Sequence, residues 1–280
     1  MTARTEAIAA TRTEHLRQRI RRHPLSAFFV LAYSISWFAW AGAYLGLGMV
    51  GVVIGGFGPA VAAWIVTRQS DASVRAWAEQ IVHWRVKPRF YLYALGLPAL
   101  LWAAMNVVLA ILGQDVDMSL VGERLPAYLG ALVFVSILGG GFEEPGWRGF
   151  ALPRLEHRYN TPLRATLVLA LLWGLWHLPL YGLGFIGPML YVFFYTYLYN
   201  KTGSVLLCIL LHGSFTAALD TLILATDSFT VDLVIFGTLV AATLVLIVAT
   251  RGRLGYAGGG NHTEPIQADL RLARVGSASR

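Results

Sequence analysis

The chain has 280 residues, of which 56% are hydrophobic and 13% charged, against about 45–50% and about 25% in soluble domains. With a mean hydropathy of +0.59, this excludes a soluble globular enzyme and a disordered protein. It calls for a polytopic membrane protein, since about 20 apolar residues cross a bilayer as helix. The net charge of +7 does not point to nucleic acid, because the cations flank apolar segments, where Lys and Arg set membrane orientation.

Residues 1–24 hold six Arg against two Glu and read as a basic cytoplasmic tail. Residues 14–22 suit a helix lying on the membrane surface. Apolar segments then follow at about 26–47, 49–67, 90–113, 126–142, 163–180, 186–200, 203–224 and 230–250. They are continuous where a transmembrane barrel would alternate, and each satisfies its backbone only as helix. The fold class is therefore all-α, a bundle of about eight transmembrane helices over 25–251. The fourth and sixth segments are short for a span, so they are expected to be covered by protein. Residues 252–280, polar after Gly258-Gly259-Gly260, read as a disordered cytoplasmic tail.

Orientation follows from the connections. Asp115, Asp117, Glu123, Asp220, Asp227 and Asp232 lie on one side with Arg124, and every other basic residue lies on the side of the termini. By the positive-inside rule both termini are cytoplasmic, in agreement with eight spans. Arg outnumbers Lys by 20 to 2, as GC-rich codons would give, so the plasma membrane of a bacterium is expected. Cys208, the only cysteine, forms no intramolecular disulfide.

Ionisable residues within spans are costly and mark function. Glu143, Glu144 and Arg148 follow Gly139-Gly140-Gly141-Phe142, His177 lies in the fifth segment and His212 in the seventh. Glu144 and Arg148 are four apart and share a helix face, so the guanidinium can hold that carboxylate while Glu143 points elsewhere. Trp173 and His177 are also four apart, as are His212 and Thr216. One Glu and two His can activate water against a peptide bond. The same four ligands, Glu143, Glu144, His177 and His212, could instead hold zinc. A transporter with a Glu-His proton relay is a third reading. No His-Glu-x-x-His is present, which excludes that class of zinc protease. Gly182-Leu183-Gly184-Phe185-Ile186-Gly187 lies between spans with no preceding strand, so it is no dinucleotide site.

Glu143-Glu144-Pro145-Gly146-Trp147-Arg148, Trp173-Gly174-Leu175-Trp176-His177 and His212-Gly213-Ser214-Phe215-Thr216 resemble, in order, the motifs of the CAAX protease and bacteriocin-processing (CPBP) family. This is a family of intramembrane endopeptidases related to type II CAAX prenyl endopeptidases. The resemblance covers about residues 125–225 and implies an eight-helix bundle acting on membrane-associated peptides or proteins. It also implies that Glu143 activates water with help from His177 and His212, and that Glu144 and Arg148 shape the site. Residue 216 would bind the oxyanion. Thr216 departs from the family's Asn or Asp, and its hydroxyl reaches less far; Ser214 and Asn200 are candidate substitutes. A catalytically lapsed binding or immunity protein on the same scaffold is thus an alternative. Of the two descriptions of the family, metal-dependent and metal-independent, the second is preferred, so no cofactor is expected. One tension concerns depth. Glu143 stands at the cytoplasmic end of the fourth segment, and His177 about 20 Å of helix into the fifth. A displaced fourth segment and a water-filled cavity open to the cytoplasm would reconcile them.

Overall fold

The structure, a computed structural model, describes residues 14–15, 17–70, 72–226 and 228–257. Residues 1–13 and 258–280, most of both expected tails, lie outside the described residues. Residues 17–22 are helical, and Arg17 Nε–H donates to Gln69 Oε1 at 2.9 Å.

Helix α1 (Pro24–Gly42) opens on a proline, whose missing N–H costs nothing in a first turn. A π-helical turn, Ala43–Leu47, then ends at Gly46 and Gly48, with φ of +120° and +52°. Only glycine takes such angles freely, and there the chain reverses. Helix α2 (Gly48–Gly56) returns along α1 at very short range. A Cβ on Gly51 would strike the backbone of Ala39 and Ala43, one on Gly55 the Trp40 indole, and one on Gly58 the Ser36 hydroxyl. Trp40 Nε1–H donates to Val52 O at 3.2 Å and Ser36 Oγ–H to Gly55 O at 2.7 Å. Small residues that let backbones touch are the usual device of helix pairing in lipid. The apolar stretch Pro24–Gly56 is therefore a hairpin, which α3 (Gly58–Gln69) extends past Phe57.

A connecting loop carries the short helix α4 (Val74–Ile81), capped by Ser73, whose hydroxyl accepts from Ala76 N–H. Helix α5 (Pro88–Ile111, 24 residues) is about 36 Å long, enough to cross the hydrocarbon core. In the next loop the N–H and hydroxyl of Ser119 donate to Asp117 and hold its carboxyl below the usual carboxylate range. Helix α6 (Leu120–Ile137) breaks at the three glycines. The backbone then stays helical in short pieces: a 3-10 turn (Gly141–Glu143), a helical turn (Glu144–Gly146), a π-helical turn (Trp147–Ala151) and α7 (Leu152–Tyr159). Beyond the left-handed Asn160 come α8 (Pro162–Trp176), α9 (Ile186–Thr202), α10 (Val205–Thr221) and α11 (Phe229–Ala249).

By length and composition five helical stretches among the described residues are able to cross a membrane, and α8 and α10 are shorter apolar helices. The expectation that the fourth and sixth segments are the short ones is corrected. The fourth does not end near 142, because the glycines bend the chain without ending its helical course, and Leu120–Tyr159 forms one apolar stretch. The sixth is lengthened at its start by the turns over 178–185. Helix α10 is short for a different reason: it packs against α5, α6 and α9, and Leu207, Cys208, Leu211, Phe215 and Ala218 are buried. It is surrounded by protein where its neighbours meet lipid. The chain after α11 does not leave the bundle at once. Leu254 is buried, and its carbonyl accepts from Asn200 Nδ2 at 3.1 Å.

Candidate active site

The continuation through α7 removes the depth mismatch. Glu143 stands sixteen residues before Tyr159, and His177 fifteen residues after Pro162. Measured from the shared turn at Asn160, both lie about 22–24 Å up their helices. The three motifs meet where α10 passes the glycine break, and Glu143, Glu144, Arg148, His177 and His212 are all buried there.

Glu144 and Arg148 pair as their spacing predicts, with Arg148 Nη1–H donating to Glu144 Oε1 at 2.9 Å. Both side chains are wholly buried. A pair so placed survives only with good geometry and further partners. Here the Arg148 guanidinium carbon lies 4.2 Å from the Tyr195 ring centroid and 4.6 Å from that of Trp173, so two aromatic faces add cation–π attraction. Glu144 Oε1 also meets His212 Nδ1 at 2.8 Å. A carboxylate only accepts, so Nδ1 carries a proton and Nε2 is the ring nitrogen left open. Tyr195 stacks on the same imidazole, with centroids 5.7 Å apart and planes 23° apart. Carboxylate, ring and cation thus fix the orientation of His212.

Glu143 is held from another helix. Trp173 Nε1–H donates to its Oε2 at 2.8 Å. His177 Nδ1 lies 2.8 Å from the Trp173 carbonyl, which accepts, so this ring too carries its proton on Nδ1. Its Nε2 faces Glu143 Oε2 at 3.9 Å, beyond direct hydrogen-bond range. Tyr181 stacks on the outer face of His177, with centroids 5.2 Å apart and planes 10° apart. The free ends of the two anchored groups meet at Gly140. A Cβ there would collide with His212 Nε2 and stand 3.1 Å from Glu143 Oε1. The absent side chain lets the His212 imidazole and the Glu143 carboxylate converge against the Gly140 backbone.

Thr216 is half-buried one turn beyond His212, and among the described residues no hydrogen bond joins it to the other five. The two candidate substitutes are engaged elsewhere, which corrects that expectation. The Ser214 hydroxyl bonds with the Tyr128 hydroxyl at 2.8 Å and donates to Leu95 O at 3.2 Å. Asn200 Nδ2 donates to Glu156 Oε1 at 2.7 Å. The geometry also adds residues that sequence reading missed. Trp173 appeared only as the aromatic of a motif, yet it anchors Glu143; Gly140 appeared only as a bend; Tyr195 and Tyr181 carried no sequence signal. Glu144 Oε1 is taken by Arg148 and His212, Glu143 Oε2 by Trp173, and among the described residues no three His, Cys, Asp or Glu side chains are grouped to hold an ion.

Residues 125–218 match the family model described as type II CAAX prenyl endopeptidase Rce1-like, a window that contains every site residue just described. Over 136 residues the chain is 31% identical to CAAX prenyl protease 2 of Methanococcus maripaludis, covering 41% of this chain and 49% of that protein. The chain thus spans about half the length of this curated relative. Residues 125–218, about a third of the chain, are thus similar to the Rce1-like type II CAAX prenyl endopeptidases, in line with the CPBP motifs they contain.

Proposed function

We propose that this protein is an intramembrane endopeptidase that cleaves membrane-associated peptides or proteins without a metal. The observation that carries the reading is the convergence of Glu143 Oε1 and His212 Nε2 beside Gly140. A water there donates one proton to each, which turns its oxygen lone pair toward a scissile carbonyl. The oxygen attacks the carbonyl carbon as Glu143 takes the proton. When the C–N bond breaks, Glu143 returns that proton to the leaving nitrogen, and the products are a carboxylic acid and an amine. Glu144, held by Arg148, keeps His212 in the tautomer that accepts from water, as an orienting carboxylate does in other hydrolases. His177, left unbonded at Nε2, meets the substrate. Eight spans, a bacterial plasma membrane and cytoplasmic termini complete the reading.

A binding protein on the same scaffold is the second reading, favoured by the position of Thr216. One experiment separates the two. Wild type and Glu143→Gln are compared on fluorogenic peptides in detergent, with and without a chelator. The expected result is cleavage by wild type that survives the chelator and falls at least about 10³-fold in the variant, as for other essential general bases. Loss with the chelator would overturn the metal-free mechanism. Equal behaviour of the two proteins would favour the binder.

A further inference from the structure

The E-E-x-x-x-R segment has a support that enters from outside the family window. Helix α4 places Trp77 and Gln80 three apart, on one side, while Arg75 and Glu79 pair in solvent at 2.8 Å on another. The loop is tied to the bundle at three points. Trp77 Nε1–H donates to Pro145 O at 3.0 Å, the Tyr199 hydroxyl to Gln80 Oε1 at 2.6 Å, and the Ser204 hydroxyl to His83 O at 2.6 Å. The first of these lands between Glu144 and Arg148. There the backbone ladder changes register: Trp147 N–H bonds the Glu144 carbonyl three residues back, and Leu152 N–H bonds the Trp147 carbonyl five back. A π-helical turn of this kind is a weak point in a helix and is frequent at functional sites. Pro145, in the helical turn just before it, brings no N–H of its own. Gly149 keeps the approach open, since a Cβ there would stand 3.4 Å from Trp77 Nε1 and 3.2 Å from Val205 Cγ2.

We infer that Trp77 is a positioning residue for the site: its indole N–H holds the Pro145 carbonyl and thereby sets the bearing of Glu144 and Arg148. This rests on reading the site as the hydrolytic centre. It makes the loop helix part of the active protein, although residue 77 lies outside 125–218.

The test uses Trp77→Phe in the full chain in lipid nanodiscs, which keeps an aromatic body against Gly149 and removes the donor. Tyr199→Phe serves as control, because it cuts another tether of the same loop. Two readouts are taken: kinetics on a peptide that wild type cleaves and Glu143→Gln does not, and amide exchange measured by mass spectrometry. For Trp77→Phe, kcat is expected to fall about tenfold with KM within about twofold, the split left by a group that does not touch substrate. Exchange over 144–151 is expected to rise several-fold while that of α8 stays unchanged. Tyr199→Phe is expected to keep kcat within about twofold. A wild-type kcat in Trp77→Phe, unchanged exchange over 144–151, or an equal loss in Tyr199→Phe would overturn the inference. If wild type itself cleaves nothing, the protease reading fails, and the exchange result alone decides whether Trp77 holds the segment.

Discussion

Gly140 shows how much a missing side chain can do. Its φ of −107° lies in the ordinary helical region, so alanine is conformationally tolerated and the glycine is not required by backbone strain. What alanine changes is occupancy, because its methyl falls on His212 Nε2 and beside Glu143 Oε1. Gly140→Ala is therefore expected to lower kcat/KM by at least about 10²-fold, the scale of a misplacement near 1 Å at reacting atoms, with the thermal midpoint also lowered as the buried His212 ring is displaced. Peptide hydrolysis and a melting curve on one preparation check both halves; full activity would show that the reacting water does not sit between these two groups. The same residue marks the limit of reading single positions. Glu143, Glu144, Arg148, His177 and His212 were legible because charge inside an apolar run is rare. Gly140 was hidden among three glycines, and Tyr195 among the many tyrosines of α9, since neither identity nor spacing separates them from structural neighbours.

Among the elements, α1 and α2 form a hairpin whose closeness reaches the site. Gly55 lies under the Trp40 indole; Trp40 packs on Trp176 at 4.5 Å between centroids, and Trp176 on His177 at 4.8 Å. Gly55→Ala drives a methyl into a fully buried ring with nowhere to relax, and overpacking of this kind costs about 1–3 kcal/mol. The expected outcome is a lower unfolding midpoint in detergent with activity partly lost through Trp176. An unchanged midpoint would mean that the hairpin opens without cost. The break after α6 is the other decisive element. The sequence showed three glycines and a proline and placed the end of a span there. The chain instead continues through 3-10 and π-helical turns, because Trp147, Phe150, Leu152 and Leu155 are buried and hold the irregular backbone inside the bundle.

For the whole molecule, α5 separates the loop bearing Arg75 from the loop bearing Ser119, both exposed. Cys208, the only cysteine, is buried, so single-cysteine variants report on a silent background. With cytoplasmic termini, Ser119→Cys is expected to react with a membrane-impermeant maleimide in intact cells, and Arg75→Cys only after permeabilisation. The reverse pattern would invert the orientation, and equal labelling would show that α5 does not span.

Composition and apolar run length by themselves determined an all-α membrane protein, because backbone groups in lipid leave helix as the economical solution, and the cost of charge in such runs singled out the catalytic candidates. The depth of Glu143, its bond from Trp173, the contact of His212 with Glu144 and the support from Trp77 were decided only by the tertiary structure. Each depends on groups tens of residues apart meeting within about 3–4 Å, and no local pattern encodes that distance.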